Sequence, residues 1–167
     1  MEDQKLDVSS ISFVSGDRID ANLLLDYFMA MFPGRAEVLG RIWRWLNRIE
    51  FYNNQTPFVA VYDNRVIAYF GMMPFAVSLD SVRRVATWSI DYSVLPEFQR
   101  HGLGVVLLKK WMELPDVQVG FANVRAIGAC RKAGLGECDD TRLHYFLLNP
   151  FDHPRLVRSM PPRYEEF

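Results

Sequence analysis

The sequence has little of what would tie it to a metal, a membrane or a nucleic acid. Its two cysteines, Cys130 and Cys138, form no CxxC pair, and no early segment joins a charged start to an apolar stretch as a signal peptide does. Both features point to a reduced, cytoplasmic setting. No uninterrupted apolar run approaches the ~18 residues that a membrane helix requires, so no membrane association is expected. His101, His144 and His153 stand far apart without HExxH-type spacing, and no metal is expected. Charge of one sign is missing too: the formal net charge is −1 and the pI about 6.3. Such a chain has no global basic field, and Arg83-Arg84 or Arg41, Arg44 and Arg48 are too sparse for a nucleic-acid surface. Any anion must be held locally.

What the chain does have is apolar material. Of its 167 residues 50% are hydrophobic, 14% aromatic and 23% charged, a composition that folds rather than staying disordered. A domain of this length buries roughly 70% of its unfolded surface, and a second full domain does not fit. Four of the nine prolines, Pro150, Pro154, Pro161 and Pro162, crowd the end of the sequence, where they cannot continue a sheet. The expected organisation is one domain over residues 1–149 and a proline-rich tail over 150–167.

Hydrophobic periodicity orders the elements. Residues 10–15 alternate as a half-buried strand ending at Gly16. Asp20 reads as the cap of a helix carrying Leu24, Phe28 and Met31 on one stripe, which Pro33-Gly34 stops. Val38, Ile42, Leu46 and Ile49 recur at helical spacing from Ala36 to about Phe51, with Leu39, Trp43 and Trp45 widening the apolar surface. Three antiparallel strands follow: Phe58 to Tyr62, Val66 to Leu79 and Val82 to Val94, with turns at Asp63-Asn64 and Asp80-Ser81. A helix from about Gly102 to Glu113, a short strand from Val117, a helix from Asn123 to Ala133 stopped by Gly134, and a strand from Leu143 to Leu148 complete the domain. The order is β-α-α-β-β-β-α-β-α-β, a mixed α/β (α+β) chain.

Between the third hairpin strand and the next helix lies Val94-Leu95-Pro96-Glu97-Phe98-Gln99-Arg100-His101-Gly102-Leu103-Gly104. Its glycines let a ligand approach the backbone, and the N–H groups and dipole of a helix start favour an anion such as a pyrophosphate. The stretch lacks the Gly-Lys-Ser/Thr ending of a Walker loop, and Gly102 to Leu107 lacks the third glycine of a dinucleotide fingerprint. An ordinary helix start after a proline is the other reading of these residues.

The stretch resembles the signature of the GNAT acyltransferases, Gln/Arg-x-x-Gly-x-Gly/Ala after a Val-x-Pro strand end, with Gln99, Gly102 and Gly104 following Val94 and Pro96. Asn123-Val124-Arg125-Ala126, followed by Gly134-Leu135, is similar to that family's Asn-x-x-Ala helix and its Gly-Phe-like end. The element order agrees over residues 10 to 149. The resemblance implies a mostly antiparallel twisted sheet flanked by helices, and acetyl-CoA or another acyl-CoA as co-substrate. It puts the pyrophosphate on Gln99, Arg100, His101, Gly102, Leu103, Gly104 and Val105, the pantetheine arm along Tyr92, Ser93 and Val94, and Asn123 in the same site. Arg131 and Lys132 would lie within reach of another phosphate.

Family members transfer the acyl group directly to an amine. That chemistry needs a neutral amine, a donor to the carbonyl oxygen and a proton for the departing thiolate. A backbone N–H near Val94 suits the second role. For the third, the family's tyrosine seven positions after the asparagine is here Cys130. A thiol with an ordinary pKa of about 8.5 can donate a proton, or it can simply fill core space. Tyr92 and Tyr145 are alternatives. Asp91 is the first candidate base: on a period of two it shares a face with Ser89 and Ser93, opposite Trp88, Ile90, Tyr92 and Val94. Glu50 is a second.

Trp43, Trp45, Phe51 and Tyr52 offer aromatic walls for an acceptor, or core. The leading expectation is an N-acyltransferase acting on the primary amine of a small molecule, with room for a homodimer. The alternative is a catalytically weak acyl-CoA-binding module, motivated by the missing tyrosine.

Overall fold

The computed structural model of the chain describes residues 10–47, 57–114 and 117–138. The chain divides into two units, 1–135 and 136–167, and every element below lies in the first. In order these are β1 (Ser12–Ser15), α1 (Ala21–Met31), α2 (Ala36–Leu46), β2 (Phe58–Tyr62), β3 (Arg65–Leu79), β4 (Val82–Val94), a 3-10 turn (Pro96–Phe98), α3 (Leu103–Met112), β5 (Val117–Val119) and α4 (Val124–Ala133). Among the described residues the strands form one sheet in sequential order, antiparallel except for the β4–β5 pair. This is the expected mixed α/β architecture. The expected final strand over 143–148 and the boundary near 149 lie outside the described residues.

Local chemistry accounts for the turns and caps. Asp63 and Asn64 (φ 48° and 54°) join β2 to β3, and Asp80 and Ser81 (φ 50° and 64°) join β3 to β4. Two successive left-handed residues match the twist of a hairpin, and Asp and Asn tolerate that backbone better than most side chains. Asp20 caps α1 by accepting from the N–H groups of Asn22 and Leu23.

Neighbouring residues on a strand point to opposite faces, so Tyr69 and Phe70 divide the core in two. Tyr69 meets Phe28 of α1 with ring centroids 5.2 Å apart, and Phe70 meets Trp111 of α3 at the same separation. Helices α1 and α3 therefore cover opposite faces, with α2 packed on α1 and α4 on α3. Covered on both sides, β3 is buried from Val66 to Met72.

Helix α2 buries only part of the expected apolar surface, centred on Leu39 and Trp43 rather than on the row through Val38. Ala36, Leu39 and Trp43 are inside, whereas Val38 is 47% and Trp45 72% exposed. The buried row runs on to Asn47, one turn beyond Trp43, and Asn47 is fully enclosed. Its Nδ2 donates to the Trp43 carbonyl and the Tyr69 hydroxyl, and its Oδ1 accepts from the Met72 N–H at 2.8 Å. Every donor and acceptor of that amide is engaged, as a buried polar group requires. A polar end to the row hid it from a hydrophobic count.

Candidate active site

Strand β4 leaves its neighbour partway along. β5 pairs with β4 only at Ala86, Thr87 and Trp88, so from Ser89 to Val94 that edge carries no strand among the described residues. On the other edge, Tyr69 pairs with Ser93 and Gly71 with Ile90. Phe70 alone thus faces both Asp91 and Tyr92, a β-bulge with Asp91 in left-handed backbone (φ 48°).

The bulge overturns the expectation that Ser89, Asp91 and Ser93 share a face. Ser89 pairs with Met72 and Ser93 with Tyr69, and partners three residues apart point to opposite sides. One inserted residue reverses the phase of the strand.

On the α1 face, the Asp91 carboxylate accepts from Arg35 at 2.5 Å. The Tyr27 hydroxyl donates to the Ser93 carbonyl at 2.9 Å, and Ser93 Oγ donates to the Asp91 carbonyl at 3.1 Å. Helix α1 thereby pins the bulge. Burial pushes the pKa of both Tyr27 and Tyr69 well above the usual tyrosine value. Both stay protonated at neutral pH and act here as fixed donors or acceptors.

On the α3 face, the Tyr92 ring packs beside Phe70, and its hydroxyl lies against Gly104. Burial first, and then the neighbouring Cys130 thiol, push the Tyr92 hydroxyl up to about 12. Burial likewise raises the pKa of Cys130, which packs half-buried against the core from α4. The structure therefore brings Tyr92, Gly104 and Cys130 together and keeps Asp91 on the other side of the sheet.

The loop between β4 and α3 is shaped by its own contacts. Gln99 Nε2 donates to the Val94 carbonyl at 2.9 Å, folding the loop back on the strand end. Arg100 and Gly102 take left-handed backbone (φ 68° and 80°). Gly102 is the N-cap of α3, so no side chain caps the helix, and a β-carbon there would stand in open space. The first intrahelical bond from this cap is Val106 N–H to the Gly102 carbonyl, which leaves the N–H groups of Leu103, Gly104 and Val105 at the positive end of the helix. The Leu103 side chain is core, so only its backbone faces the loop. Arg100 is exposed and His101 half-buried. Asn123 caps α4 by accepting from the N–H groups of Arg125 and Ala126, and Gly134 (φ 98°) ends that helix.

A profile of the acetyltransferase (GNAT) family matches residues 21–135. The chain belongs to that family. No curated protein gives a match. Solved structures share the GNAT fold. A predicted acetyltransferase with acetyl-CoA from Clostridium acetobutylicum superposes with a TM-score of 0.57 at 16% identity, over 86% of this chain and 98% of that one. Glucosamine-6-phosphate N-acetyltransferase from Arabidopsis thaliana gives 0.58 at 14% identity, over 81% and 98%. A Pyrococcus horikoshii protein assigned as an acetyltransferase gives 0.56 at 16% identity, over 77% of this chain but 44% of its own length. At these identities the GNAT neighbours speak for architecture, and their acceptors are their own.

Three residues that matter to the site were not singled out from the sequence. Tyr27 carried the one available signal, a polar tip three positions from Leu24 on an apolar helix face. Arg35 and Asn47 meet β4 and β3 across 56 and 25 residues of chain, and nothing local announces either contact. Glu50, Phe51, Tyr52 and Tyr145 lie outside the described residues. Among the described residues no cluster of His, Cys, Asp and Glu is arranged to hold a metal, and no helix is long and apolar enough to cross a membrane.

Proposed function

We propose that the chain is an acyl-CoA-dependent N-acyltransferase that acetylates the primary amine of a small molecule, with both substrates bound at once. The observation that carries this reading is the glycine-capped start of α3, where Gly104 meets Tyr92 on the part of β4 that β5 leaves unpaired among the described residues. A helix start without a side-chain cap, with free space at Gly102, fits a pyrophosphate, and a strand edge left unpaired among the described residues fits an amide-bearing arm. Acyl-CoA, when bound there, supplies the activated thioester.

The protein's residues supply the rest. The backbone from Gln99 to Val105 would hold the phosphates, and the peptide groups from Tyr92 to Val94 would hold the arm and the carbonyl oxygen. Asp91 is the group for the acceptor's proton, directly or through water. Of the two protonated groups on the α3 face, burial holds the Tyr92 hydroxyl near 12 and also raises the Cys130 thiol, and Cys130 stands at the position of the family's tyrosine, which makes it the first candidate for the proton donor. Asn123 supports the site by fixing the start of α4.

Incubating the chain with acetyl-CoA and a panel of amines, while following free thiol, tests the reading. Acceptor-dependent thiol release is the expected result. Coenzyme binding without it would favour a regulatory acyl-CoA-binding module, the reading motivated by Cys130 in place of tyrosine. A cytoplasmic location and a homodimer belong to the same proposal, to be checked by fractionation and sedimentation.

A further inference from the structure

The Arg35–Asp91 pair is placed for more than holding a loop. Arg35 follows α1 on the connection to α2, and its guanidinium lies over the Phe32 ring, 4.9 Å from the centroid. Its side chain is 54% exposed, while that of Asp91 is 17% exposed. With the guanidinium more than half exposed, solvent screens the pair from that side and its contribution to stability is small. Asp91 nevertheless holds left-handed backbone, a strained state for a residue with a β-carbon, at a bulge beside the open edge of β4. Strain of this kind persists where the surrounding structure enforces it, commonly at functional sites. Tyr27 and Ser93 enforce it here.

A simple ammonium approaching Asp91 meets the positive charge of Arg35 at ion-pair distance and must compete with it. A molecule carrying an amine and an acidic group a few bonds apart meets no such penalty. Its ammonium can go to Asp91 and its anion to the guanidinium, whose fork suits carboxylate and phosphate alike. We propose that the acceptor is an amine bearing a neighbouring carboxylate or phosphate, and that Arg35 and Asp91 together select it. Arg35 is then a specificity-determining residue. This rests on the acyltransfer reading above.

The test pairs each acid-bearing amine with a neutral counterpart: 2-aminoethyl phosphate with ethanolamine, and L-phenylalanine with L-phenylalaninamide. Thiol release from acetyl-CoA is followed with the full chain. The acid-bearing member of at least one pair is expected to show kcat/KM about tenfold or more above its partner. Arg35→Gln should collapse that ratio toward one through KM. Equal or better turnover of the neutral members, or an equal loss for both members in Arg35→Gln, overturns the proposal. Should Arg35→Gln melt too low to assay, Arg35→Lys keeps the charge without the fork and must raise KM more for the acid-bearing member. If no amine elicits thiol release, the acyltransfer reading itself fails. Saturation-transfer NMR with 2-aminoethyl phosphate then decides the site alone: binding lost in Arg35→Gln sustains it, and binding unchanged refutes it.

Discussion

The hydroxyl of Tyr92 stands too close to Gly104 to admit a β-carbon there, so β4 and α3 meet at this point through the absence of a side chain. Gly104→Ala forces one of them to move. Overpacking of this kind costs about 1–3 kcal/mol, against a gain of about 1 kcal/mol from replacing glycine inside a helix. A net loss of up to ~2 kcal/mol is expected in urea unfolding. With Tyr92→Phe the obstructing oxygen is gone and the ring carbon behind it lies 3.4 Å away, an ordinary contact. Gly104→Ala should then be neutral or stabilising. Additivity of the two changes would show that the hydroxyl does not separate them.

Gly102 should behave differently, because its surroundings are open and only its backbone is special. Gly102→Leu is expected to cost about 1–2 kcal/mol in stability from left-handed strain. Its larger effect falls on the ligand. Coenzyme A affinity by calorimetry should drop about tenfold or more, the equivalent of one lost charge-assisted hydrogen bond. Unchanged affinity would remove the helix start from the coenzyme site.

Replacing Asn47 with leucine leaves the Met72 N–H and the Tyr69 hydroxyl without the amide that meets them. Each unsatisfied buried group costs about 1–3 kcal/mol, and the apolar side chain recovers part of that. A loss of ~2–4 kcal/mol in the unfolding free energy is expected. A loss below ~1 kcal/mol would mean that water reaches this part of the core.

Alkali should weaken the fold. Tyr27, Tyr69 and Tyr92 all ionise above the ordinary tyrosine value of about 10 because they are buried. Above that pH the unfolded chain releases these protons while the native one keeps them, so stability is full below it and falls as pH rises toward about 12, the Tyr92 value. Unfolding midpoints measured from neutral pH upward should decline steeply past about pH 10, and less so in Tyr92→Phe. A flat profile would contradict the burial of these hydroxyls.

Cys130→Ala is expected to lower kcat about tenfold or more with little change in coenzyme affinity, the scale of a modest general acid. The thiol titrates above its usual range, so the rate should hold through neutral pH and fall only as pH rises through that value. The alanine variant should lose this limb. A full rate in Cys130→Ala would return the residue to packing.

The path of the chain was legible wherever a local rule applied. Asp20 capped its helix, Asp63-Asn64 and Asp80-Ser81 made their turns, and β4 ended where expected at Val94. Each of those outcomes is decided within a few residues. The phase of β4 beyond Ile90 was not legible, because period-two counting assumes an unbroken ladder and the bulge sits inside a run that alternates polar and apolar residues without a break. Leu39 and Trp43 of α2 were read as apolar surface, but which of two side-by-side rows leads inward was not, since the choice falls to Asn47 and its partners on β3. The helix-start glycines were readable as a pattern. The division of labour between them needed coordinates, for the Tyr92 hydroxyl is twelve residues away in sequence and adjacent in space.

The early parting of β4 and β5 has a consequence for how this architecture tolerates change. A guest lodged in the cleft after Trp88 would be gripped chiefly by peptide groups, which every residue type carries. Apart from Asp91 and Tyr92, side chains along that wall are then at liberty to be replaced, provided the bulge and the glycine turn survive. Such a wall is blind to most substitutions, and the same scaffold persists in proteins that share as little as 13% of their residues with this one.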